Sequence, residues 1–322
     1  NEDFVAHLIM TMCRSCLAVF SCRCFDKAAT IIDDDIDSSD TEKRGLQIVS
    51  GSWQLCTVTQ VEEVKWLFRM IPIWICTIFF TTAYTQVYSL FVIQGEAMDT
   101  RLGNFNVPSA GLYAVDCVTV VICIVVYNYW LIPFARRWTG RPEGFSGLQR
   151  IGIGMPIVAL AMLEAGFVEM ARLRKRASGG NISILWQVPQ YITTGVSETF
   201  TYIGQMHFFY DQAPDSMRSI GSALPQASVA LGSYVNTFLV LIVSRATGTP
   251  GWIPDSGSID IGHLDYFFFL VSILALVNFG LFSILSMQYK YTDRHDISPS
   301  PQAMPLFSAD DGTTIEEHHS HG

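Results

Sequence analysis

The stretch ISILWQVPQYITTGVSETFTYIGQMHFF, Ile182–Phe209, decides how the chain is read. It is long enough to cross the roughly 30 Å hydrocarbon core of a bilayer, which needs about 20 helical residues. It holds no Lys or Arg and a single carboxylate, Glu198. A charge at mid-membrane costs about 2.5–3.5 kcal/mol on insertion scales, so such an acid faces a cavity or a partner and not lipid. Tyr191, Thr194, Thr201, Tyr202 and Gln205 sit at i−7, i−4, i+3, i+4 and i+7 from it, spacings that project from one helical face. A polar stripe centred on one acid reads as the wall of an aqueous pathway. The alternative is a protonated acid that packs helices together.

The rest of the chain agrees with a membrane setting. Hydrophobic residues make up 50% and charged residues 15%, with a mean hydropathy of +0.31, which excludes an ordinary soluble domain. Six apolar stretches are long enough to span: Trp66–Gln94, Ser109–Phe134, Leu148–Met170, Ile182–Phe209, Met217–Ser244 and Leu264–Met287. The expected fold is therefore an all-α membrane protein with six transmembrane helices. Residues 1–62 read as a partly disordered leader and cytoplasmic linker, 63–291 as the bundle, and 292–322 as a disordered cytoplasmic tail. The net charge of −9 owes much to Asp33-Asp34-Asp35 and to Ala309–Glu317, runs that stay solvated.

The eight cysteines suggest no disulfide framework. Cys76, Cys117 and Cys123 fall within spans, where they act as small apolar residues. Cys13, Cys16, Cys22 and Cys24 lack a supporting His pattern, so no metal is expected. Asn stands at position 1, and residues 1–24 read as an atypical leader on a chain short of its true start.

Six spans place both termini on one side. Lys and Arg concentrate on that side, so the termini are expected in the cytoplasm, although the run Arg172–Arg176 falls on the other. The Asn181-Ile182-Ser183 sequon lies outside in that arrangement. Pro72, Pro133, Pro156, Pro189 and Pro225 lie in or beside spans, where they permit kinks of the kind moving helices use.

Two further polar stripes accompany the first. Thr77, Thr81, Tyr84, Thr85 and Tyr88 follow helical spacing, with Trp74 one turn before and Gln86 beside them. Ser222, Gln226, Ser233 and Asn236 form a weaker set around Pro225. Interhelical hydrogen bonding would explain each stripe singly; three stripes with one buried acid are read as a shared polar cavity. No nucleophile–base pair, metal cluster or phosphate-binding loop points to an enzyme.

The segment QMHFFYDQAPDSMRS, Gln205–Ser219, closely resembles a signature of the plant nitrate/peptide transporter family, a branch of the proton-coupled oligopeptide transporters in the major facilitator superfamily. FDKAA at 25–29, LCTVTQVEEVK at 55–65, ARRWTG at 135–140, QRIGIG at 149–154, WQVPQY at 186–191 and GHLDYF at 262–267 follow in the family's order. The resemblance runs from about residue 25 to residue 291 and matches the spans to helices seven to twelve, the C-terminal half.

The resemblance implies a proton-coupled symporter of small solutes such as nitrate, short peptides or plant metabolites. Its partners would be a small-molecule or anion substrate, protons, the lipid bilayer and an N-terminal six-helix half, with no nucleic acid. It would need no cofactor beyond a proton gradient as coupling ion, and would sit in the plasma or vacuolar membrane. Glu198 matches the tenth-helix acid that faces the cavity and pairs with a basic residue of the other half. Tyr84 and Gln86 match cavity-facing seventh-helix positions. With Tyr202, Trp74, Thr81 and Gln226 they make the expected substrate and proton pathway. Lys65, Asp211 and Arg218 are expected as gating contacts at the cytoplasmic end. Asn128-Tyr129 stands where the family usually has an Asp-Arg pair, which puts one cytoplasmic charge contact in doubt. Glu164 is read as packed or interfacial. The competing reading is a truncated, non-transporting fragment with an interaction or regulatory role.

Overall fold

The computed structural model describes residues 58–289 except 103, 141–143, 215–216, 249–250 and 254–261. The expected leader, the four clustered cysteines and the acidic tail lie outside those residues. Helix α1 spans Val58–Tyr84 and α2 Leu90–Glu96. A two-residue hairpin, β1 (Arg101–Leu102) with β2 (Phe105–Asn106), follows. Then come α3 (Tyr113–Val126), α4 (Ile132–Thr139), α5 (Gly147–Ala177), α6 (Val188–Gln212), α7 (Arg218–Thr247) and α8 (Leu264–Gln288).

Local chemistry fixes several boundaries. Ser146 accepts from the Gln149 backbone N–H at 3.3 Å while the Gln149 side chain accepts from the Ser146 N–H at 3.0 Å. That reciprocal box satisfies two orphan donors at the start of α5. Pro189 opens α6, where its missing N–H removes no helical bond. Between α1 and α2 the helix tightens into a 3-10 turn over Thr85–Tyr88. There Thr85 and Ser89 donate back to the carbonyls of Thr81 and Thr85, a hydroxyl competition that bends helices. A π turn covers Tyr127–Leu131 just ahead of Pro133, and it contains Asn128-Tyr129. Proline cannot donate to the preceding turn, and the wider turn absorbs the misfit.

Five segments are long and apolar enough to span a membrane: Val64–Glu96, Ser109–Arg137, Gly147–Ala177, Arg218–Thr247 and Leu264–Gln288. The sixth expected span exists as the 25-residue α6, but its Gln, Ser, Thr and Glu side chains make it the most polar of the set. It survives among apolar neighbours because other helices cover it. α5 packs along α6 and α8, α1 along α7 and α8, and α3 along α6. The core between them is dense and partly aromatic. Phe91 meets Tyr191 and Phe268 edge-on at 5.5 and 5.7 Å between ring centres, a geometry that adds to simple burial. Outward, Val118, Val121 and Ile122 on α3 and Ile273 and Val277 on α8 are exposed, the apolar exterior that a bilayer solvates.

Candidate functional site

The expected polar stripe on α6 divides in two. Tyr191, Thr194, Thr201 and Gln205 are buried, the first three completely. Glu198 and Tyr202 stay half-exposed. The six residues cover an arc of roughly 100° at 3.6 residues per turn, wide enough for one edge to be covered while the other stays open. Glycine does the covering. At Gly154 of α5 an added Cβ would lie 2.9 Å from the Ser197 carbonyl and 3.0 Å from the Thr201 nitrogen. Ser197 Oγ uses the close approach to donate to the Gly154 carbonyl at 2.7 Å. Four of the six stripe residues therefore belong to helix packing, which corrects the single-wall reading.

The α1 stripe turns further inward than expected. Trp74 Nε1 donates to the Leu224 carbonyl at 2.9 Å, and Thr81 Oγ1 to the Ser228 carbonyl at 2.8 Å. Thr77 and Ser228 hydroxyls meet at 3.0 Å. Gln86 Nε2 donates to Asn236 Oδ1 at 2.6 Å with both side chains buried. These bonds zip α1 and its following turn to α7, so the placement of the buried Thr81 and Gln86 on an open wall is corrected, while Trp74 keeps part of its ring exposed. Hydroxyl and amide groups in lipid find partners on neighbouring helices, and these found them on α7.

What remains on the open side is compact. The Glu198 carboxyl lies against the Tyr84 hydroxyl. Tyr84 pairs with Tyr88 through their hydroxyls at 2.9 Å, and Tyr88 with Tyr113 at 3.0 Å. Gln226 Nε2 donates to the Tyr202 hydroxyl, linking α7 to α6. Of the seven expected pathway residues, Glu198, Tyr84, Tyr202 and Gln226 come together here.

Asp116 of α3 also faces Glu198, and the sequence reading passed over it. It is the only carboxylate in the Ser109–Phe134 span. The cost of a charge in lipid falls on it as it does on Glu198. Gly195 sets the approach: a Cβ there would meet the Asp116 carbonyl at 3.0 Å and Oδ1 at 3.1 Å.

Both ends of the bundle carry charge. At one end Lys65 lies near the start of α1, Asp211 near the end of α6 and Arg218 at the start of α7. Asp211 meets His207 at 3.2 Å, and the Arg218 guanidinium lies over the Tyr210 ring at 5.3 Å. At the other end the basic run is not all loop surface. Arg172 is 2% exposed and binds Glu169 twice, Nε to Oε2 at 3.0 Å and a terminal nitrogen to Oε1 at 2.7 Å. Gln94 Nε2 donates to the same carboxylate at 2.9 Å, and Gln94 Oε1 accepts from Gln187 Nε2 at 2.9 Å. Arg172 is thereby removed from the charges that weigh on orientation. Glu164 accepts from Thr193 at 2.9 Å, a packed, interfacial place.

Two comparisons decide the family. A model described as "PTR2: POT family" matches residues 6–257. Protein NRT1/PTR FAMILY 8.1 of Arabidopsis thaliana is 45% identical over 278 residues, 83% of this chain and 47% of that protein. This chain belongs to the POT family. Protein NRT1/PTR FAMILY 8.2 of the same plant is 44% identical with the same coverage. The chain spans about half the length of the curated relatives it matches. Among solved structures, an auto-inhibited POT family peptide transporter superposes with a TM-score of 0.59 at 20% identity, covering 74% of this chain and 44% of that one. The POT family transporter PepTSo gives 0.59 at 21%, covering 73% and 44%. These two bear on the fold alone, and they agree with a helical bundle of POT architecture. POT family relatives are transporters and not enzymes, and the apolar helices make this POT member a multi-pass integral membrane protein.

Proposed function

We propose that this bundle is the C-terminal half of a proton-coupled symporter of small solutes such as nitrate, short peptides or plant metabolites. It works against an N-terminal six-helix half across a shared cavity near the membrane midplane. The protein sits in the plasma or vacuolar membrane with both termini in the cytoplasm. The observation that carries the reading is Glu198: a half-buried carboxyl on the one side of α6 that α5 leaves uncovered, beside Tyr84, Tyr202 and Gln226. An acid there alternates between a neutral form and a charged form paired to the other half, and so biases inward- against outward-facing states. Lys65, Asp211 and Arg218 act at the cytoplasmic end as gating contacts.

The test is uptake by the full-length transporter that carries this half, against a panel of nitrate, dipeptides and plant metabolites at acidic and neutral pH. Glu198→Gln keeps shape and hydrogen bonding but removes the ionisable group, so it should abolish acid-stimulated uptake at unchanged surface expression. Glu198→Asp should retain part of it. Uptake by the Gln variant equal to wild type at both pH values would sink the reading.

A further inference from the structure

Asp116 is the buried charge the transport reading leaves unexplained. Its side chain is fully buried, and the one hydrogen-bonding group recorded beside its carboxyl is another acid, Glu198. An ionised carboxylate so placed is strongly disfavoured unless something nearby balances it. Its titratable neighbours come from three helices. Glu198 and Tyr191 face it from α6 and Tyr84 from α1. On its own helix Tyr113, next to Cys117, links back through Tyr88 to Tyr84. The Tyr191 hydroxyl is itself fully buried without a partner. Among the described residues no Lys, Arg or His interacts with Asp116, Glu198, Tyr84 or Tyr191. Gly195 gives up its side chain where α6 crosses Asp116, which lets the two helices close to carbonyl contact.

We propose that Asp116 and Glu198 form one proton site and hold a single proton between their carboxyl groups. This rests on the reading of Glu198 as the proton-carrying acid and adds its second half. Two carboxylates that face each other away from water repel, and one proton between them turns repulsion into a charge-assisted hydrogen bond. Loading takes the pair from two negative charges to one; release to water restores the second. The macroscopic titration then belongs to the pair and to neither residue alone. Asp116 sets how strongly Glu198 keeps its proton, and Gly195 sets the distance over which it does so.

The test uses this chain in lipid vesicles and needs no substrate. Infrared spectra at neutral pH should contain a buried protonated-carboxyl stretch that moves in D2O. Side-chain 13C-aspartate and 13C-glutamate labelling of the wild-type chain should each displace that same band, because both acids share the proton. Asp116→Asn and Glu198→Gln should each shift or remove it, and Gly195→Ala, which changes no ionisable group, should shift it too. The proposal is overturned if aspartate labelling leaves the band in place, if the two labels displace separate bands, or if no such band exists at neutral pH. Labelling requires no variant to fold. Since uptake is not read, a transport failure of Glu198→Gln and a failure of the shared site remain separate results.

Discussion

Gln86 and Asn236 hold the first span to α7 through a 2.6 Å amide–amide hydrogen bond, with both side chains buried. The family resemblance implies a cavity-facing Gln86, but the bond points it at a neighbour. Membrane hydrogen bonds of this sort average about 0.6 kcal/mol and reach about 1.7 kcal/mol. Gln86→Leu should therefore lower unfolding stability in lipid-like micelles by about 0.6–1.7 kcal/mol. The double variant with Asn236→Leu should recover part of the loss, because no amide is then stranded. Strictly additive losses would show that the two amides do not depend on each other.

The Glu169–Arg172 pair should matter more. Removing one partner of a buried ion pair leaves an uncompensated charge and costs about 3–5 kcal/mol. Arg172→Met strands Glu169 with Gln94 as its remaining donor of those described above, so thermal stability and yield should fall sharply. Arg172→Lys should recover only part, since one ammonium cannot reproduce the two-pronged contact. Restoration of much of the loss by Glu169→Gln in the Arg172→Met background would confirm that the stranded charge is the cause. Wild-type stability of Arg172→Met alone would refute the buried pair.

Gly154 tests the packing that hides half of the α6 stripe. A Cβ there would press on backbone atoms of Ser197 and Thr201, which cannot swing aside like a flexible side chain. Gly154→Ala should cost about 1–3 kcal/mol by overpacking and should raise the exposure of Thr201. Gly280→Ala is the control, since nothing lies within 4 Å of its added Cβ; it should change stability by less than about 0.5 kcal/mol. Equal behaviour of the two variants would mean that the missing side chain of Gly154 is not what lets α5 close onto α6.

Much of this was legible in the sequence, for a definable reason. Long apolar runs place spans, because that signal acts within one segment. Glu198 stood out because ionisable groups are costly in lipid wherever the fold puts them. The division of each stripe was not legible. Spacing says that Thr194 and Glu198 share a face; it does not say that Gly154 brings α5 over one edge of it. Arg172 likewise reads as part of a basic run, and spacing alone does not show that Glu169, three residues before it, is buried beside it. Asp116 is different. It is a lone carboxylate in an apolar span, legible by the same cost of charge in lipid, but no polar stripe accompanies it on α3.

The tyrosine chain offers the last test. Tyr84, Tyr88 and Tyr113 link by hydroxyls at 2.9 and 3.0 Å, leading from Glu198 toward the bundle end where α3 begins. Tyr88 is half-exposed, and its ring touches those of Tyr84 and Tyr113 at 5.7 and 5.0 Å between centres. Tyr88→Phe keeps those ring contacts and removes only the central hydroxyl, so stability should stay within about 0.5 kcal/mol of wild type. A net hydrogen bond of about 0.5–1.5 kcal/mol sets the scale of the functional effect: in the full-length symporter proposed above, acid-stimulated uptake should fall by up to roughly tenfold. Tyr113→Phe cuts the same chain one link further out, so it should give a similar loss, and the double variant no more than either single one. Full uptake by Tyr88→Phe would mean that the hydroxyls only pack the site, and that protons reach Glu198 by water from the open side of α6.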